Sequence, residues 1–373
     1  MKKRISLSGN SFIVRATSPL VTANKCDSHH ATYNLDAGNP IKNYRDILGN
    51  IYNQMQTEIT RAMKELFVYL DKSLQFFIKK PNLSDWKQFV KIVSNEKAIV
   101  EARKEPITFR CSKKPRGYAG DAETLDYLYF GAPNSSDDNV NQMSAHVVST
   151  PTGDSVRDRV NRIAEQIDMI SNRMGRRINV LSIASGHSRE LHFSHAYKRQ
   201  GSIAYYGIDL DKKSLDQARA DYPHDTYFYN EHVKKFLTGE SAAQANNQEY
   251  DFIFSTGLTD YLNDEQCQLL VKQMFDHLSP GGTIMVANFL NPTSSRGYME
   301  CVMDWHLIYR STGQIFDFSK RVPETHSRVE VFTSLEIGYL ILTKKNSEAK
   351  QTVPLYNKVY SCRDTSGSFR SKL

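Results

Sequence analysis

The chain has 373 residues, 40% of them hydrophobic and 24% charged, with a formal net charge of +7. That is the composition of an ordinary globular protein with room for two domains and a sizeable core. It excludes a disordered polyelectrolyte, and no run approaches the ~18 apolar residues that a membrane crossing requires.

The charge is unevenly placed. From Lys344 to Leu373 there are seven Lys or Arg against two acids, so this stretch carries +5 of the excess. A solvated basic tail over 346–373 explains the imbalance better than a phosphate-binding face, and no nucleic-acid partner is expected. Five cysteines stand without a C-x-x-C pair, which suits reduced thiols in a cytoplasm. Met1 to Arg4 leads into no apolar signal core, so a cytoplasmic protein is expected.

Residues 1–40 are polar and aperiodic, and irregular or extended structure is expected there. Apolar residues then recur at three- and four-residue steps from Tyr44 to Ile78, a long amphipathic helix with at most one break. Pro81 ends it. Ser84 is placed to cap a second helix carrying Trp86, Phe89, Val90, Val93 and Val100, which stops before Pro106. Arg110 to Gly131 reads as a non-repetitive loop bent by Pro115, Gly117 and Gly120. Pro133 to Asn141 is a solvated link, and a helix with Val156, Val160, Ile163, Ile167, Ile170 and Met174 on one face follows.

The segment RINVLSIASGHSRELHF, residues 177–193, organises the remainder. Ile178 to Ile183 is a strand buried on both faces, Ala184, Ser185, Gly186 and Ser188 form a tight turn, and Glu190 opens a helical pattern. A second strand, SIAYYGIDLD, ends in Asp209, 23 residues beyond Gly186. That spacing places a carboxylate at the tip of strand two, where a ribose can be held. Thr226–Asn230, Tyr250–Ser255 and Thr283–Phe289 read as strands three to five. Asn263 and Gln266 form a capping box for the intervening helix, which Ser279-Pro280-Gly281-Gly282 terminates. A helix, GYMECVMDWHLIYRS, follows strand five. Two alternating stretches, Arg328–Phe332 and Ile337–Thr343, then close the sheet as an antiparallel pair.

With VLSIASGHSRE, YYGIDLD, YDFIFSTG and LSPGGTIMVANF in this order over about residues 155–345, the chain resembles the class I S-adenosylmethionine-dependent methyltransferases. The first motif departs from D-x-G-x-G-x-G, with Ser182, Ala184, Gly186 and Ser188 at its four positions. SIASGHSREL, PRGYAGDAETLDYLYFG and MDWHLIYR further resemble the subgroup similar to the 3-hydroxypalmitic acid methyl ester (extracellular factor) biosynthesis methyltransferases. The resemblance implies an α/β fold, a Rossmann-like seven-stranded sheet over 151–345, with residues 41–150 as an N-terminal helical lid and substrate domain.

The expected cofactor is S-adenosyl-L-methionine. The resemblance places Ala184, Ser185, Gly186 and Glu190 of the first motif beside it. Asp209 would hold the ribose and Leu210 pack on adenine, with Asn230 and Glu231 at the adenine edge and Ser255 and Gly257 on the methyl side. Tyr118 and Tyr261 are candidates to face the sulfonium. Arg116 or Arg310 would orient an acceptor carboxylate, and His306, Asp304 or a tyrosine would serve an acceptor that needs deprotonation. Alternatively, Arg116 pairs with Asp121 merely to hold its turn. His187, His192 and His195 lack the partners of a metal set, so no metal is expected and a solvated helix face is the simpler reading. The motif for amino-group methylation of nucleic acids is absent, since Ser255-Thr256-Gly257-Leu258 stands in its place.

Three functions follow from the same site. The first is methyl transfer to a small-molecule or lipid-like carboxylic acid. The second is cyclisation of the cofactor to azetidine-2-carboxylate with release of methylthioadenosine. The third is non-catalytic cofactor binding, to which the departed first motif points. Oligomeric state is not legible from the sequence.

Overall fold

The computed structural model describes residues 6–7, 10–11, 14–16, 40–79 and 84–346. Pro81 and the basic tail beyond residue 346 lie outside them.

Seven strands form the expected sheet: β1 Ile178–Ile183, β2 Ile203–Asp209, β3 Thr226–Asn230, β4 Tyr250–Ser255, β5 Leu278–Phe289, β6 Ser327–Ser334 and β7 Ile337–Lys344. Their spatial order is β6-β7-β5-β4-β1-β2-β3. β1 to β5 pair in parallel, whereas β7 runs antiparallel to both β5 and β6. An eighth, short strand, Val14–Ala16, adds in parallel to β6. It is extended structure within the segment read as irregular or extended, and its pairing to the sheet edge through backbone alone is something aperiodic polarity does not foretell.

The strand order reverses at β1, which lies between β4 and β2. At such a point the loops leaving neighbouring strands diverge to opposite faces and open a crevice beyond their carboxyl ends.

Among the described residues eight helices precede β1: α1 Pro40–Met55, α2 Ile59–Ile78, α3 Ser84–Val93, α4 Lys97–Ala102, α5 Pro106–Lys113, α6 Ala122–Phe130, α7 Asp138–Val148 and α8 Pro151–Met174. The long periodic run breaks once, between α1 and α2. Several sequence boundaries are corrected by capping chemistry. The second helix does stop before Pro106, at Ala102, but it is split into α3 and α4, and Pro106 opens a further helix, because the Glu105 carboxylate accepts the orphan N–H groups of Ile107 and Thr108. The supposed loop 110–131 shrinks to residues 114–121, since Lys114 in a left-handed turn closes α5 and the Asp121 side chain accepts from Thr124 N to open α6. The link expected over 133–141 gives way to α7, capped by Asp137.

The expected helix after β5 is also shorter. Only Arg296–Cys301 is helical, and the chain then turns through Asp304, at φ 51°, and runs extended to Arg310. Leu290 and Arg310 pair as a bridge beside the sheet. The LSPGG segment is absorbed into β5, whose register against β4 shifts there.

α2 is not separable from the sheet. The Asp71 carboxylate accepts from Ser295 N and Gly297 N at 2.9 and 2.7 Å. Leu66 and Leu70 of α2 belong to the same apolar cluster as Val180 of β1 and Phe252 of β4. What covers the crevice is therefore the loop 114–121 with α6, carried on a helical layer fused to the sheet.

Candidate functional site

The turn after β1 has an unusual backbone. Ala184, Gly186 and Ser188 have φ of 60°, 52° and 54°, a conformation that favours glycine and that Ala and Ser adopt only under local constraint. The constraint comes from β2 and α6. Asp209 accepts from Gly186 N through Oδ2 and from Asp211 N through Oδ1, both at 2.8 Å. A Cβ on Gly186 would sit 3.2 Å from that of Ala122, so the turn lies directly beneath α6.

Two neighbouring cavities occupy the crevice. The larger, about 90 Å³, is lined among others by Tyr118, Ala184, Gly186, Asp209, Asp260 and Trp305. The smaller, about 70 Å³, lies along the turn between Ser185, His187, Glu190, Arg159 and Gly257. Ala122, Leu125, Arg159, Ala184, Gly186 and Gly257 line both. These volumes fall well short of the roughly 300 Å³ at which ligand pockets usually begin, so the structure is a closed one.

Closure is made by Arg116 and Gly120. Arg116 spans to Asp211 beyond β2 at 2.5 Å and to Glu123 at 3.6 Å. It does not pair with Asp121, which Arg110 holds bidentately instead. The Ser214 hydroxyl and Arg116, acting against burial, keep the Asp211 carboxyl below its ordinary range. A Cβ on Gly120 would lie 2.5 Å from Trp305 Cζ2, and no side chain fits where the loop meets the indole.

Tyr118 and Tyr261 come together in the larger cavity. Burial, reinforced for Tyr118 by the charges of Asp209 and Asp211, raises both phenols far above their usual range, so both are neutral donors or aromatic walls rather than bases. The Tyr261 ring is 42% exposed, yet its hydroxyl accepts from Trp305 Nε1 at 2.8 Å. Asp209 is 8% exposed, and burial raises its pKa against the opposing backbone bonds.

Other expected residues lie elsewhere or are committed to structure. Arg310 is 1% exposed and donates to Asp264, to Asn288 and to the carbonyls of Thr259 and Leu262, leaving it no part in holding an acceptor. Arg116 is likewise occupied as a latch. His306 is exposed and pairs with Asp304, which Lys114 also binds, and it lines neither cavity. The Ser255 hydroxyl donates to Ile183 O inside the sheet. Leu210 is 63% exposed, and Asn230 donates to the carbonyls of Asp209 and Leu210, shaping the strand-two tip. Glu231 accepts from Ala242 N. Glu190 is buried against the Tyr205 hydroxyl, and burial pushes its pKa up to about 7.

Three residues that the sequence reading missed line the cavities. Arg159, buried on α8, donates to Thr256 O at 2.7 Å and faces both cavities. Asp260, in the short turn after β4, is buried, accepts from Phe289 N and is pushed by burial up to about 6. His187 is buried rather than solvated, with Nδ1 2.8 Å from Asp126. Arg159 sits within the periodic run of α8, where the apolar stripe diverts attention, and Asp260 stands in no motif that the spacing rules recognise. Among the described residues no group of three His, Cys, Asp or Glu could hold a metal.

Residues 180–282 match the family described as methyltransferase domain. The match is confined to this segment. It takes in β1 to β4, the turn, Asp209 and Asp260. No curated protein matches the chain. Among solved structures, one named a possible exported protein from Bordetella parapertussis is 18% identical, with 60% of this chain and 79% of that one covered at a TM-score of 0.48. The magnesium protoporphyrin IX methyltransferase of Synechocystis, solved with bound S-adenosylmethionine (SAM), is 10% identical, covering 63% and 97% at 0.39. The plantazolicin methyltransferase, solved with S-adenosylhomocysteine (SAH), is 14% identical, covering 66% and 99% at 0.39.

The donor set of the crevice suits an adenosyl amino acid. A carboxylate stands at the strand-two tip, a glycine turn leaves space where a Cβ would meet Ala122, and a buried guanidinium faces the inner cavity. Ser185 Oγ and His187 Nε2 are buried there without partners among the described residues.

Proposed function

We propose that the protein is an S-adenosylmethionine-dependent methyltransferase acting on a small molecule. The observation that carries this reading is the crevice at the strand-order reversal, with Gly186 and Asp209 on its floor and Tyr118 as its cover. Asp209 would take the ribose hydroxyls on its remaining lone pairs, Gly186 would admit the backbone approach, and Arg159 would meet the carboxylate at the amino-acid end. The cofactor supplies an electrophilic methyl group on a sulfonium. Tyr118, Tyr261 and Trp305 supply aromatic walls that favour a cation and exclude water. Their enclosure fixes the acceptor near the line of attack, where alignment accounts for most of the rate gain.

The carboxylic-acid acceptor suggested by the resemblance has lost its two supporting arginines, since Arg116 and Arg310 are both engaged. The acceptor end instead offers Asp260, whose carboxylate would repel another and whose raised pKa suits removal of a proton near neutral pH. A hydroxyl or amine acceptor therefore fits better. Entry of the nucleoside requires the 114–121 loop to lift and Arg116 to leave Asp211.

The test is to incubate the purified protein with SAM alone and with a panel of hydroxy, amino and carboxylic acids, and to follow products by mass spectrometry. SAH formed only in the presence of an acceptor supports the proposal. Methylthioadenosine from the cofactor alone, or no binding of SAH in calorimetry, overturns it.

A further inference from the structure

The smaller cavity contains the two unpartnered polar atoms, and they decide what enters it. His187 is 6% exposed, and its Nδ1 faces the carboxylate of Asp126. A neutral imidazole so held carries its proton on Nδ1, which leaves a lone pair on Nε2. Among the described residues that lone pair has no donor, nor does Ser185 Oγ have a partner. Buried acceptors left bare are costly and rare, so a donor from outside is the natural complement. Arg159, on the other wall, offers N–H groups to an anion. At about 70 Å³, with one liquid water occupying about 30 Å³, the space suits a small head group bearing a cationic donor and an anion together.

We infer that His187 is a specificity-determining residue that accepts a hydrogen bond from the α-ammonium of a bound amino-acid end, opposite Arg159. Asp126 is the positioning residue that fixes its tautomer. The inference rests on the function proposed above and adds to it a reading of the amine. Asp126 belongs to α6, and Arg189 grips the same carboxylate at 2.6 and 2.7 Å. The amine is thus read correctly only while α6 is seated on the turn, which joins recognition of the amino-acid end to closure of the cover.

The test is calorimetric titration of the full chain with three probes: SAH, its deaminated analogue, and methylthioadenosine, which lacks the amino-acid end. Wild type is expected to prefer SAH over the deaminated analogue at least tenfold. His187→Ala should erase that preference and leave methylthioadenosine affinity unchanged. His187→Gln, whose amide oxygen can accept in place of Nε2, should restore part of it, and Asp126→Asn should lower affinity for SAH alone. The inference is overturned if His187→Ala keeps the preference, or if it weakens all three probes equally as a structural residue would. Should His187→Ala fail to fold, the wild-type preference and the Gln variant decide. Wild type binding SAH without discriminating the amine sinks this inference alone, whereas wild type binding no probe sinks the cofactor assignment and this inference with it.

Discussion

Substituting Gly120 by alanine tests the cover directly. The added Cβ would stand 2.5 Å from Trp305 Cζ2 and 3.1 Å from both Trp305 Cε2 and the Tyr261 hydroxyl. Ordinary carbon contacts lie at about 3.5–4.0 Å, so the loop or the indole must retreat by roughly 1 Å. Trp305 is fixed from behind, with Nε1 donating to Tyr261 and its backbone N to Met299 O. The loop yields instead. Overpacking of this kind costs about 1–3 kcal/mol. The open loop relieves that strain, so the cost falls on the closed state and leaves global stability nearly untouched. If ligand binds only under the closed loop, affinity for SAH should fall by about 5- to 150-fold, at 1.4 kcal/mol per tenfold. Calorimetry gives the affinity, and emission of Trp305, otherwise 8% exposed, should shift to the red. Affinity within twofold of wild type together with unshifted emission would refute the claim that this loop closes over the ligand.

Four further outcomes are expected. Asp209→Ala should weaken SAH binding at least tenfold, about 1.4 kcal/mol, and unchanged affinity in calorimetry would misplace the ribose site. Tyr118→Ala should lower turnover more than cofactor affinity, and turnover equal to wild type would remove Tyr118 from the reacting end. Arg310→Met should destabilise by about 3–5 kcal/mol, since it strands two buried carbonyls and Asn288, and a thermal scan should show it; an unshifted melting temperature with lost activity would return Arg310 to the chemistry. Burial raises the Asp71 carboxyl from 3.8 to about 6. Between these values the folded chain binds more protons than the unfolded one, so its contribution is present at low pH and is lost as pH rises through 6. The change is on the order of 3 kcal/mol, and Asp71→Asn should flatten the slope of urea stability between pH 4 and 6, an unaltered slope counting against it.

The sheet was legible because its strands carry their own evidence. Ile178–Ile183 and Tyr250–Ser255 are apolar on both faces, the Asn263–Gln266 box forms as expected, and Asp209 closes its strand at the anticipated distance from Gly186. Local pattern and chain spacing suffice where a structure is made of regular elements joined in order. The same reasoning overextended the loop at 110–131 and the helix after β5, where a left-handed Lys114, Asp121 and a left-handed Asp304 set the boundaries.

By itself, then, the sequence determined the layered α/β class and the acidic tip of strand two, because period and spacing are properties of a one-dimensional chain. Only the tertiary structure decided which charges face the crevice. Arg310 and Arg159 look alike in the sequence, yet one is fully engaged with Asp264, Asn288 and two carbonyls and the other faces both cavities. His187 needs Asp126, 61 residues earlier, to hold its tautomer. A polar side chain's role depends on which distant partners satisfy it, and long-range pairing leaves no periodic trace along the chain.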